Sequence, residues 1–234
     1  MPARISNPEY KSGGLFGRRI GKPLSPLQEA DYEFGLAKFG ITTDAASFKN
    51  LSELFEIPCN RFHLEIGFGA GEQLLAAARR ETTTGFFGVE PFVNGMAKVS
   101  GAIKTGQLKN IRLFHQDAVL LLDKLPDASL DCIDLFYPDP WTKKRHWKRR
   151  FVSGANLDRF ARILKPNGQF RFASDITHYV NWTLEALDRH AEFQWQASGP
   201  DDWQKPYPFW PGSRYEQKAK HEGRTPAYLT FERV

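Results

Sequence analysis

A single carboxylate, Asp139, stands at the head of the densest positive charge in the chain. The stretch "PDPWTKKRHWKRR", residues 138 to 150, sets that acid between two prolines and then places six basic side chains within eight positions. Few chemistries need both signs so close together. A fixed carboxylate stabilises positive charge that arrives or develops beside it. A cluster of lysines and arginines grips phosphates, which gives affinity and orientation but reads little sequence. Four more acids, Glu65, Glu90, Asp117 and Asp175, occur at comparable places, each at or just after the end of an apolar run. Between them lies "LEIGFGAGE", whose Gly67, Gly69 and Gly71 permit a tight turn and the close approach of a ligand to the backbone.

The elements that must position these residues are legible in the apolar pattern. "RFHLEIGF", "GFFGVEP", "NIRLFHQD", "LDCIDLFYPD" and "QFRFASD" read as short buried strands, with "FQWQA" and "AYLTFERV" as late ones. "GEQLLAAARRET", "FVNGMAKVSGAIKTG", "ANLDRFARILKPNG" and "YVNWTLEALDRH" read as the helices among them. Such alternation predicts an α/β fold, Rossmann-like, with a mostly parallel sheet and helices on both faces. Ligands of such sheets sit beyond the carboxyl ends of the strands. Any one of the five acids also reads as a helix cap or turn residue. Five at successive strand ends read as one mouth.

The glycine run does not complete the dinucleotide fingerprint, because residue 72 is Glu where a third spaced glycine is needed. Glu65, immediately before the loop, repels a pyrophosphate and welcomes a cation. S-adenosylmethionine, with its sulfonium and α-ammonium groups, suits that charge. Glu90 is placed to accept from two ribose hydroxyls, and Asp117 from an adenine amino group, with the Ala118 N–H serving a ring nitrogen.

At 234 residues the chain suits one domain with an extension. Residues 1 to about 45, rich in Gly, Pro and charge, read as a basic, mobile or partly ordered arm, and residues 46 to 234 as the domain that carries the glycine loop and the acids. The net charge of +5 is unevenly spread. Basic side chains concentrate near the N-terminus and at 143 to 150 on an otherwise mildly acidic body, a footprint for a polyanion. No apolar run reaches the ~20 residues that span a bilayer, and the N-terminus lacks a signal-like stretch, so a cytoplasmic protein without a membrane partner is expected. Cys59 and Cys132 read as plain thiols, and the six histidines show no close pair that suggests a metal.

Taken together, "LEIGFGAGE", "PDPWTKKRHWKRR" and "SRYEQKAKHEGRTPAYLTFERV" resemble the bacterial tRNA (guanine-N7-)-methyltransferases. The resemblance implies a seven-stranded sheet with an antiparallel last strand, S-adenosylmethionine as donor, and the guanosine of the tRNA variable loop as acceptor. No obligate protein partner is inferred. By resemblance Asp139 is the active-site acid and touches the cofactor, while Lys143 and Asp175 match positions that contact substrate. The family's Thr-x-x-Glu appears as Ser213, Arg214, Tyr215 and Glu216; Glu216 is suited to pair with the guanine ring N–H and amino group, which adenine does not offer. Arg145, His146, Lys148, Arg149 and Arg150 are expected on the RNA. Whether Asp139 serves the developing cation, the guanine amino edge or the donor's ammonium group stays open, as does whether Trp141 faces a base or the core, and whether "QKPYPFWPG" covers the site or the core. Rival readings keep the cofactor but exchange the RNA for a small molecule, or drop catalysis for RNA binding alone.

Overall fold

Residues 84–89 and 111–114 are buried without a break, so the sheet built from them is covered on both faces. The structure, a computed structural model, describes residue 17, residues 19–43 and residues 46–234. Seven strands form one sheet in the order β3-β2-β1-β4-β5-β7-β6: β1 (Arg61–Ile66), β2 (Thr84–Val89), β3 (Ile111–Phe114), β4 (Leu130–Phe136), β5 (Leu164–Ser174), β6 (Phe193–Trp195) and β7 (Ala227–Arg233). The first five strands run parallel. β7 lies between β5 and β6 and is antiparallel to both, with Phe170 opposite Phe231 and Phe172 opposite Leu229. The expected mixed sheet is what the chain forms.

Leu64, Phe87, Ile133, Leu135, Phe170 and Phe172 point to one face, where Leu121 of α4 (Ala118–Leu122), Leu157 and Phe160 of α5 (Gly154–Ile163) and Tyr179 of α6 (Thr177–Asp188) cover them. Phe86, Ile111 and Leu113 point to the other, beneath α2 (Glu72–Arg80) and α3 (Val93–Gly106). On that second face the middle of the sheet is polar. His63, Asp134 and Arg171 occupy neighbouring strands; Asp134 takes 2.7 Å contacts from the His63 imidazole and from both Nε and Nη2 of Arg171. Two residues along from His63 is Glu65, buried beside them.

Helix α1 (Pro26–Phe39) lies within the segment that sequence reading assigned to an arm. Its apolar residues form no clear stripe, so periodicity is silent there. Its start is nonetheless encoded locally: Ser25 and Gln28 form a reciprocal capping box, with Pro26 at the first turn. The helix packs closely on α3, and Asp31 meets Lys104 at 3.2 Å. Arg4, Lys11 and Arg18, also read as part of the arm, lie outside the described residues. No helix among the described residues is long and apolar enough to cross a membrane.

The ladder under the sheet's centre sets a pH dependence. Burial disfavours the His63 imidazolium, but Cys132 and Asp134 outweigh it and hold its pKa up at about 10. Burial, with Asp134 beside it, pushes Glu65 up to about 8. Both groups keep protons in the fold that the unfolded chain has shed, so the stability they contribute declines as pH rises, through about 8 for Glu65 and about 10 for His63. The thermal midpoint is therefore expected to fall on the alkaline side. His63→Gln, which keeps a donor for Asp134 but does not titrate, is expected to flatten the part of that fall above about pH 8; an unaltered pH profile in that variant would show that His63 carries no proton there.

Candidate active site

The carboxyl ends of β1, β2 and β4 open into one cavity of ≈ 890 Å³, floored by Ile66, Val89 and Leu135 and walled by Gly67, Gly69, Glu90, Asp117, Ala118 and Asp139. Of the eight residues expected to hold a cofactor, these six come together. Gly67 has φ +75°, and a Cβ there would meet nothing within 4 Å, so its missing side chain leaves the floor open. Glu65 lies buried below the loop and Gly71 behind it; neither lines the cavity. Gly71 serves packing: at φ +77°, a Cβ there would stand 2.3 Å from Val99 Cγ2 of α3. Gly95, which sequence reading passed over, does the same for the loop, since a Cβ would stand 2.3 Å from the Gly69 carbonyl.

Glu90 braces that loop from the end of β2. Its carboxylate accepts from Gly69 N at 2.7 Å and Phe92 N at 2.9 Å. Burial raises its pKa, opposed by those two N–H groups. Asp117 caps α4 through Val119 N at 3.0 Å, which leaves its second carboxylate oxygen free of that bond.

Asp139 sits on a turn whose flanks are strained. Tyr137 has φ +49° and Trp141 φ +43°, conformations that side-chain-bearing residues avoid. Although Asp139 is open to solvent at the cavity wall, the surrounding protein displaces enough water to raise its carboxyl pKa. Tyr137 and Tyr215 line the same cavity with their rings 17° from parallel and 6.3 Å apart. Tyr137 is a wall residue without a prior signal, since it stands outside the charged motif.

The basic run forms a 3₁₀ turn over Lys144–Arg149. With three residues per turn, side chains three apart share a column. His146 and Arg149 both meet Trp141, the first edge-on at 5.8 Å and the second over its ring at 5.0 Å. Trp141 thus packs against the basic turn and also lines the cavity. Lys143, Lys144, Arg145 and Lys148 are exposed and make no ion pair among the described residues. Arg150 departs from its expected place on the RNA: only 3% exposed, it lies among the rings of Trp147, Tyr179 and Trp182. An arginine closing a basic run looks solvated in sequence; the three aromatic partners come from the run itself and from α6, thirty residues away.

The C-terminal motif divides as well. Beyond the short helix α7 (Asp201–Gln204), Ser213 caps α8 (Arg214–His221) through Glu216 N at 3.1 Å. Arg214 and Tyr215 line the cavity. Glu216 does not reach it: it is buried, and its two carboxylate oxygens accept from Lys220 and from Trp210 Nε1. Asp175 is likewise held away, by Arg224 Nε at 2.6 Å. Neither pairing is visible in sequence, because each partner lies on a helix or loop that periodicity did not mark. "QKPYPFWPG" packs over the polar face of the sheet, where Tyr207 donates to the carbonyls of Phe172 and Leu229 and lies 5.0 Å from the Arg171 guanidinium.

Residues 60–229 match a family model described as a putative methyltransferase. Among solved structures, the aminoglycoside resistance methyltransferase NpmB1 superposes with TM-score 0.56 at 18% identity, over 80% of this chain and 93% of its own. The 16S rRNA methyltransferase KamB gives TM-score 0.56 at 13% identity, over 83% and 95%. These share the fold. Identity is far higher to curated proteins named tRNA (guanine-N(7)-)-methyltransferase: 56% over 226 residues for that of Brucella abortus (strain 2308) and 56% over 226 residues for that of Mesorhizobium japonicum, each covering 97% of both chains. With a sheet of this order, a carboxylate-walled mouth at its carboxyl edge and kinship along nearly its whole length, the chain belongs to the tRNA (guanine-N(7)-)-methyltransferase family.

Proposed function

We propose that this protein methylates N7 of a guanosine in the tRNA variable loop, with S-adenosylmethionine as donor, and that Asp139 is the acid at the reacting centre. The observation that carries the reading is the continuity of two opposite charges: three carboxylates wall the cavity, and the basic run 143–150 begins four residues beyond the last of them. The cavity fits the donor. Its glycine floor admits a ligand against the backbone, Glu90 and Asp117 present acceptors for ribose hydroxyls and an adenine amino group, and Ala118 opens α4 beside them. Bound there, S-adenosylmethionine supplies an electrophilic methyl group on a cationic sulfur.

Guanine N7 carries a lone pair and no proton, so the protein needs no general base. What it must supply is alignment and compensation for the positive charge that appears on the purine. Asp139 supplies the second from a position where reduced hydration strengthens its field. Tyr215, stacked on Tyr137, offers an aromatic wall for the purine plane. Lys143, Lys144, Arg145 and Lys148 face solvent at the rim, where phosphates approach. Residues 46 to 234 hold the catalytic machinery. The protein works in the cytoplasm, where its substrate is.

Asp139→Asn is expected to lower kcat on the order of 10²–10³-fold while tRNA affinity holds; turnover close to the parent's would remove Asp139 from the chemistry. The carboxylate is the working form and its pKa lies above the ordinary value of 3.8, so activity in the parent falls as pH drops through that raised value, a limb that Asp139→Asn should lack. Replacing Lys144 and Arg145 by Ala is expected to reduce the slope of log affinity against log salt by roughly 1 per residue, with saturated turnover retained. An unchanged slope would put this rim away from the RNA.

A further inference from the structure

Arg150 is a cation with almost no water around it and almost no polar partner. Its Nε donates to the Pro140 carbonyl at 2.9 Å, while Nη1 and Nη2, both buried, have no hydrogen-bond partner among the described residues. What surrounds the guanidinium instead is aromatic: Tyr179 at 4.8 Å, Trp182 at 5.1 Å and Trp147 at 5.3 Å from its central carbon. Desolvation of this kind disfavours a charge, and three ring faces return part of the loss. The rings are themselves tied down. Trp182 Nε1 donates to the Val152 carbonyl at 2.8 Å, Tyr179 Oη accepts from Val152 N at 3.3 Å, and Trp147 Nε1 donates to the Thr142 carbonyl at 3.4 Å.

Among the described residues, the one hydrogen bond of the Arg150 side chain is with the residue that follows Asp139. That carbonyl belongs to a turn with left-handed residues on either side of the acid, Tyr137 and Trp141, and strained backbone persists only where its surroundings over-determine it. A guanidinium lodged in fixed rings, with Nε aimed at the turn, is such a determinant. Lysine has no planar fork with which to fill the cage and donate sideways at once.

We propose that Arg150 is a positioning residue for Asp139: caged by α6 and by the basic turn, it anchors the Pro140 carbonyl and so sets where the carboxylate stands in the cavity. Arg150 thereby also joins the RNA-facing turn to the acid, so that one rigid piece carries both. The proposal rests on the reading of Asp139 given above.

The test is a double-mutant cycle on the full chain with unmodified tRNA transcript. Arg150→Lys and Arg150→Met are each compared with the parent and with the same change in an Asp139→Asn background, with circular dichroism and the thermal midpoint measured for every variant. If Arg150 acts through Asp139, Arg150→Lys lowers kcat by roughly tenfold or more with KM for tRNA unchanged, and adds almost nothing once Asp139 is Asn. Arg150→Met, which fills the cage without a donor, behaves likewise. Losses that multiply in the double variant overturn the proposal, as does a rise in KM for tRNA with kcat kept, which would mean that Arg150 meets the RNA directly. Full turnover by Asp139→Asn alone removes the role of Asp139 and the positioning role with it, whereas a slow Asp139→Asn with multiplying losses overturns only the positioning role.

Discussion

A carboxylate that must compensate a transient positive charge is useful only if it does not move when that charge appears. In this fold the proposed acid, Asp139, stands on a loop, where the backbone would ordinarily relax. Its turn departs from β4 through a left-handed tyrosine and returns through a left-handed tryptophan, and neither conformation survives without outside support. Support comes from three directions: Tyr215 stacks on Tyr137, Arg149 lies over Trp141, and Arg150 anchors Pro140 from an aromatic cage. The cationic segment is thus two things at once. Its outer column faces solvent and its inner column is masonry for the active site.

The same division of charge runs through the rest of the mouth. Glu90 holds the glycine loop with one oxygen and the start of α3 with the other, and Asp117 holds the start of α4, so these acids of the cavity wall also keep its shape. Below the loop, the His63–Asp134–Arg171 ladder is almost wholly buried and mutually compensated. Buried ion pairs add little net stability over apolar packing, but removing one partner costs several kcal/mol because the other is left charged and dry. Such a ladder fixes the register of β1, β4 and β5 at the level where Glu65 and the loop begin.

Much of this was legible in the sequence because a parallel sheet imposes it. Short apolar runs bounded by turn residues marked the strands, and acids at their ends marked the mouth. Six of the eight residues read as cofactor ligands line the cavity. Gly71 and Glu65 mark where the reading by motif gives out: a glycine serves close helix packing as readily as ligand approach, and an acid at a strand end can point into the sheet's polar interior. α1 and α8 escaped notice because short caps, not periodicity, announce them. Sequence reading sets Arg150 on the RNA and Glu216 and Asp175 on the substrate, and only tertiary neighbours, the aromatic cage, Lys220 with Trp210, and Arg224, reveal that each already has a partner within the fold. Spacing reports which residues share an element; it does not report which element passes over them.

The most direct measurement of the central claim is chemical. The protein is incubated with unmodified tRNA and S-adenosylmethionine, and the product is then treated with borohydride and aniline, which sever the strand only at guanine alkylated on N7. The account predicts a single cleavage within the variable loop, dependent on both protein and donor. Methyl label in the RNA without cleavage, or cleavage at guanosines elsewhere, would contradict it.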